Sequence, residues 1–253
     1  MMKKFIKENW KFLLFVLLGG LLGGYCVGVY SYDSLSIELL KQLQDQNISK
    51  EMVALSSMAQ YGILFGVILS GIGIVLSKKV HLWKKFEFNK KSILATAIIT
   101  LIGTLALFPL DKLLFGSFIP WVDEQYIVKP TIYKILGGLL VGGIIEEVMM
   151  RLFFMSLIVF IISKLFYKNK KELPTFALVI ANIVTAFLFA AGHLPSTATM
   201  TSLTPALIIR CFLFNGGLGL GFGYLYRKYG IEHAMLSHGL CHLLSDMLML
   251  LFI

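Results

Sequence analysis

Ionisable side chains are scarce inside the long apolar runs of this chain, and they gather toward its C-terminal half. Glu146, Glu147 and Arg151 lie in one run, His193 at the end of the next, Arg210 in a third, and His238, His242 and Asp246 in the last. On a helix Glu147 and Arg151 are four residues apart on one face, with the acid first, which is the favourable order for an ion pair. Glu146 points about 100° away from Glu147. Arg151 can therefore neutralise Glu147 while Glu146 faces another partner. Two acids against one base leave a negative charge over, which a purely structural cluster does not need. His238 and His242 have the i, i+4 spacing that presents two imidazoles on one helical face, as in helical zinc proteases. Asp246 follows one turn later and is placed to orient His242 as an outer carboxylate. The competing reading of these histidines is a hydrogen-bonded polar seam between helices. Three polar residues in register inside an apolar helix favour chemistry: proton transfer to and from water, or metal binding.

The elements that position these groups are membrane helices. Hydrophobic residues make up 57% of the 253 residues and charged residues 15%, against roughly 25% charged in a soluble domain. Mean hydropathy is +0.81. Crossing a bilayer takes about 20 mostly apolar residues, and seven runs reach or approach that length: 12–30, 52–77, 92–110, 131–162, 174–192, 204–226 and 231–253. The expected fold is an all-α polytopic transmembrane bundle of seven or eight segments. Run 131–162 is too long for one perpendicular span, so it either tilts or breaks near Gly142 and Gly143. The chain reads as one transmembrane domain, with greasy spans over 1–130 and the polar, catalytic spans over 131–253. Segments 34–50 and 113–121 suit the membrane interface. Cys26, Cys211 and Cys241 fall inside apolar runs without metal or disulfide spacing and read as small buried side chains. The basic N-terminus followed by an apolar run has no convincing cleavage site and reads as a retained first span.

The net charge of +9 does not point to nucleic acid, because the lysines cluster between apolar runs rather than along a stripe with exposed aromatics. Alternate connections differ sharply. One face carries Lys3, Lys4, Lys7 and Lys11, then Lys78, Lys79, Lys84, Lys85, Lys90 and Lys91. It continues with Lys164, Lys168, Lys170 and Lys171, and ends with Arg227 and Lys228, giving 16 cations. The other face carries only 4, Lys41, Lys50, Lys112 and Lys129. The positive-inside rule puts the first set in the cytoplasm, with the N-terminus inside and, for seven passes, the C-terminus outside. Residue counts from the helix ends put Glu146 and His193 at similar depth, about 27 and 28 Å. On the same count His238 and His242 are shallower, and Asp246 is the better match. Arg210 and Asn215 need partners, which the acidic cluster is expected to supply. The glycines at 216, 217, 219, 221 and 223 read as a close-packing surface.

Taken together, Glu146-Glu147 with Arg151, Phe189 with His193, a glycine-rich span and His238 with His242 resemble the CPBP family. These are the CAAX-prenyl-protease and bacteriocin-processing intramembrane proteases, formerly the Abi family. The resemblance covers 142–244 and departs from the family pattern at its last position, where His242 stands in place of asparagine. It implies hydrolysis of a peptide bond in or near the membrane. Carried over, Glu146 activates water, His193 and His238 hold that water or the developing oxyanion, and His242 occupies the asparagine position. Glu147, Arg151 and Asp246 support them. Both a glutamate-driven and a metal-assisted mechanism stay open; three histidines with a glutamate suit zinc with an open water position, which tilts the expectation toward zinc held by His193, His238 and His242. The expected partners are the bilayer and a peptide or lipidated-protein substrate. The lysine-rich, arginine-poor composition points to a bacterial cell membrane. The alternative is a membrane protein without enzymatic activity, such as a proton-coupled transporter or a bacteriocin-immunity binding protein.

The charge asymmetry makes a topological prediction. Reporter fusions after Tyr30 and after Ile253 should report outside, and fusions after Lys85 and Lys170 inside. A cytoplasmic reporter after Ile253 would mean an even number of passes.

Overall fold

The computed structural model describes residues 2–168 and 173–253; Lys170 and Lys171 of the lysine-rich face lie outside the described residues. Among the described residues nine helices follow one another: α1 (Met2–Asp33), α2 (Ile37–Asp45), α3 (Lys50–Lys79), α4 (Lys90–Gly116), α5 (Pro120–Gln125), α6 (Ile132–Phe166), α7 (Thr175–Ala198), α8 (Pro205–Tyr229) and α9 (Ile231–Phe252). All but α2 and α5 are long and apolar enough to cross a membrane, which makes seven candidate spans. Helix is the only local solution for such runs, because lipid offers the backbone no hydrogen bonds. Polar caps fix several starts. Asn89 accepts from the N–H groups of Lys91 and Ser92 ahead of α4, Thr131 accepts from Lys134 ahead of α6, and Thr204 accepts from Leu207 ahead of α8. Segment 34–50 forms the amphipathic α2, capped by Ser36. The three cysteines are free and buried.

The long run is one helix. α6 spans 35 residues, about 52 Å at 1.5 Å per residue, well beyond a hydrocarbon core of about 30 Å. It therefore tilts or projects rather than dividing in two, and the bundle has seven spans. Its turns are of the wider i→i+5 kind over Gly138–Glu146 and Val148–Met155, a geometry that recurs at functional sites. Gly142 and Gly143 do not break the helix. They are where α9 lies down on α6. A methyl group on Gly143 would sit 2.6 Å from the Gly239 Cα, and one on Gly142 would sit 2.9 Å from the His242 ring. Backbone meets backbone at this crossing, as small residues permit in membrane bundles.

Two further features fix the frame. Gly230, at φ 111°, joins α8 to α9 without a loop, in a backbone conformation that favours glycine. At the lysine-poor end, Asp111 of α4 takes a two-pronged ion pair from Arg210 of α8. The Tyr126 hydroxyl donates to the same carboxylate at 2.6 Å and to the Leu107 carbonyl. Burial and the neighbouring Asp111 push the Tyr126 phenol up, so it stays a donor. This corrects the expectation that Arg210 is neutralised by the acidic cluster of α6; Asp111 is closer. Asn215 likewise turns to Cys211.

Gly143→Ala should force α6 and α9 apart and lower thermal stability in detergent, by about 1–3 kcal/mol as overpacking typically costs. Gly71→Ala, where an added methyl meets nothing within 4 Å, should be neutral. Equal melting temperatures for the two variants would show that the crossing is not tight.

Candidate active site

The local rule for the acidic motif holds. Arg151 Nη1 donates to Glu147 Oε1 at 2.9 Å, with the two side chains 1% and 0% exposed. The guanidinium reaches further: Nη2 donates to the Gly219 carbonyl of α8, and the group lies over the rings of Phe189 at 4.7 Å and Phe222 at 5.4 Å. One cation thus touches α6, α7 and α8. The same Glu147 oxygen accepts from His238 Nδ1 at 2.8 Å, which adds α9. Phe222 stacks on the other side of the His238 ring, centroid to centroid 4.4 Å.

Glu146 faces elsewhere. Its side chain is 26% exposed, with the carboxylate 3.9 Å from His238 Nε2, on the wall of a cavity of about 400 Å³ between α1, α3, α6, α7 and α9. His193, His242 and Asp246 line the same cavity. His238 and Glu147 sit behind that wall. So the structure gathers the sequence-predicted residues into two layers: a buried ionic layer of Glu147, Arg151 and His238, and a cavity-facing set of Glu146, His193 and His242.

Two hydrogen bonds fix ring tautomers. His193 Nδ1 lies 2.8 Å from the Phe189 carbonyl, and a carbonyl oxygen only accepts, so Nδ1 carries the proton. His238 Nδ1 likewise donates to Glu147, a carboxylate held by Arg151. In the neutral rings both Nε2 atoms then carry lone pairs. His242 packs over the Gly138 and Gly142 backbone and stacks on His238, ring centroids 5.1 Å apart. No hydrogen bond holds its ring nitrogens among the described residues, so its tautomer is free.

Asp246 is the clearest departure from expectation. Its ion partner is Lys134 of α6, at 3.3 Å, rather than His242. Lys134, on the cavity wall, is the site residue that sequence reasoning passed over; its position within the first turn of an apolar span was the available signal. Depth counting also needs correcting. His238 meets Glu146 although it lies much nearer the inner end of its helix, because α9 starts recessed, directly at Gly230, and the 80–89 segment folds over that start. There His233 Nε2 contacts the Glu87 carbonyl and Nδ1 contacts Thr96.

The donor types fit zinc: Nδ1-anchored imidazoles presenting Nε2 are what metal-binding histidines show. As placed, no three His, Cys, Asp or Glu side chains among the described residues converge on one metal position.

Glu147→Gln removes the charge that holds Arg151 in a buried site. Breaking a buried pair from one side costs about 3–5 kcal/mol, so the variant should melt far below wild type in detergent. A melting temperature within a few degrees of wild type would show that Phe189, Phe222 and Gly219 suffice to hold the cation.

Residues 128–244 match the family model described as type II CAAX prenyl endopeptidase Rce1-like. The match opens just ahead of α6 and closes inside α9, so it takes in every residue of the two layers and leaves out Asp246. No curated protein and no solved structure matches the chain. The ordered acidic, histidine and glycine motifs and this match agree: region 128–244, just under half of the chain, is that of the CPBP family of CAAX-type intramembrane proteases.

Proposed function

We propose that the protein is an intramembrane endopeptidase in which Glu146 activates the attacking water. The observation that carries this reading is the division between adjacent acids. Glu147 is consumed by Arg151 and His238, whereas Glu146 lies on the cavity wall with no hydrogen bond from any described side chain. A carboxylate held beside a water-accessible cavity by a buried ionic layer is a general base in position.

The steps follow from the protonation pattern. The Nε2 lone pairs of His193 and His238 accept hydrogen bonds from water and orient it toward Glu146. Glu146 takes one proton as the water oxygen bonds to the substrate carbonyl carbon. The resulting oxyanion needs an N–H donor, and His242, whose tautomer is free, can present one. Glu146 then passes its proton to the amide nitrogen as the C–N bond breaks, leaving a carboxylic acid and an amine; the acid then gives up its remaining proton, to the amine or to Glu146, and becomes a carboxylate. A zinc ion held by His193, His238 and His242 would lower the pKa of the water and polarise the carbonyl. The substrate is a membrane-associated peptide or protein tail.

Glu146→Gln keeps the shape and removes the base, so cleavage in proteoliposomes should fall by about 10²–10⁴-fold, the usual share of general acid–base catalysis, with the melting temperature unchanged. Retained cleavage would end the proposal. His242→Ala should lose about 10²–10³-fold, as an oxyanion donor does, and His242→Asn should recover most of it. Chelation separates two ways of activating the water. Activity lost to a chelator and restored by zinc assigns a metal to the histidines; unchanged activity assigns the step to Glu146 alone.

A further inference from the structure

We infer that the catalytic cavity opens on the lysine-poor, extracytoplasmic face, so that its substrate is a peptide segment already presented outside the cytoplasm. The choice of a peptide substrate rests on the proteolytic reading; the direction of opening does not.

Three of the helices that line the cavity, α1, α6 and α7, do so toward the same end, while α3 lines it from its middle with Tyr61 and Phe65. α1 contributes Tyr30 and Ser31, close to its end at Asp33. α6 contributes from Tyr133, its second residue, onward to Met150. α7 contributes His193 and Ser196, at most five residues from its end at Ala198. The connection after α7 adds Met200. These ends all meet the face that carries four loop lysines. The opposite direction is closed. Below Met150, α6 runs 16 further residues to Phe166, about 24 Å. That stretch packs Leu152, Met155 and Val159 against Phe222, Leu225 and Tyr226, all 0–1% exposed. The sixteen-to-four cation asymmetry puts that sealed end in the cytoplasm. At the open end, the Ser36 N–H donates to the Thr199 carbonyl at 3.3 Å. This bond ties the start of the amphipathic α2 to the rim. α2 has no buried residue, and Ile37 is 88% exposed, which suits a helix lying in the outer interface beside the mouth.

Cysteine accessibility tests the direction without needing turnover. The native Cys26, Cys211 and Cys241 are 3%, 4% and 0% exposed, so background labelling is low. Ser196→Cys, on the exposed rim, is treated with a charged maleimide in right-side-out and in inverted membrane vesicles, with Lys85→Cys as the opposite control. Because a charged reagent does not cross the bilayer, Ser196→Cys should label at least about tenfold faster in right-side-out vesicles and Lys85→Cys at least about tenfold faster in inverted ones. Ser31→Cys repeats the measurement from α1 if Ser196→Cys does not accumulate. Faster labelling of the rim in inverted vesicles overturns the inference, and so does no labelling from either side. A membrane-anchored reporter peptide should be cut when presented to right-side-out vesicles and spared in inverted ones. Cutting only in inverted vesicles, as for a cytosolic tail, also overturns it. No cutting from either side with outward labelling intact would sink the proteolytic reading while supporting the outward opening.

Discussion

A guanidinium at the centre of a membrane bundle is the constraint around which the other side chains are arranged. Insertion scales put an arginine at mid-helix at about 2.5–3.5 kcal/mol unfavourable, so Arg151 must be paired and hydrogen-bonded where it sits. Glu147 supplies the charge, Gly219 a carbonyl, and Phe189 and Phe222 their ring faces. Each partner belongs to a helix that the site uses. The carboxylate that neutralises Arg151 also receives His238. One buried cation thereby sets the relative placement of α6, α7, α8 and α9, and Glu146, next in sequence to the paired acid, is left facing the cavity.

That ionic layer works only because backbones approach closely above it. Gly142, Gly143 and Gly239 bring α9 onto α6 at a distance no β-carbon tolerates. The approach lets a five-atom ring on α9 reach a carboxylate on α6. Phe189 completes the arrangement from α7: its carbonyl takes the His193 Nδ1 proton, and its ring contacts both His193 and His238, at 4.7 and 5.8 Å. The aromatic four residues before the histidine thus helps orient two imidazoles and covers the cation between them.

What the sequence revealed and what it hid separate along a physical line. The Glu147–Arg151 pair was readable because four residues on one helix fix the contact without tertiary information. Seven spans were readable from apolar length, although α1 begins ten residues ahead of its apolar run and α4 and α7 each end six residues beyond theirs. Pairings across the bundle were not readable. Asp111 found Arg210 at a separation of 99 residues, and Lys134 took Asp246 from His242. Choosing among several possible partners for a charge in lipid needs the packing of helices, which no spacing encodes. Gly142 and Gly143 admitted two readings, kink or contact, and only the position of Gly239 decides between them. Depth counting failed for His238 because it assumes that helices start level, whereas α9 starts recessed at Gly230.

Under the proposed mechanism, His242 shows how a departure from a family pattern can preserve a role. Two of the three imidazoles have their Nδ1 protons committed, His193 to a carbonyl and His238 to a carboxylate, so while neutral their Nε2 atoms are acceptors and not donors. An oxyanion requires a donor. The asparagine usual at this position carries one in its amide NH₂. A histidine there is an adequate replacement only if its own tautomer is unconstrained, since a ring anchored through Nδ1 would present a third lone pair instead. His242 meets that condition: it lies on glycine backbone and on the face of His238, contacts that place the ring without fixing its proton. The same freedom lets its Nε2 turn acceptor when a cation is present. Under the proposed mechanism the substitution therefore keeps the donor that the hydrolytic step would need and adds a nitrogen ligand that asparagine lacks.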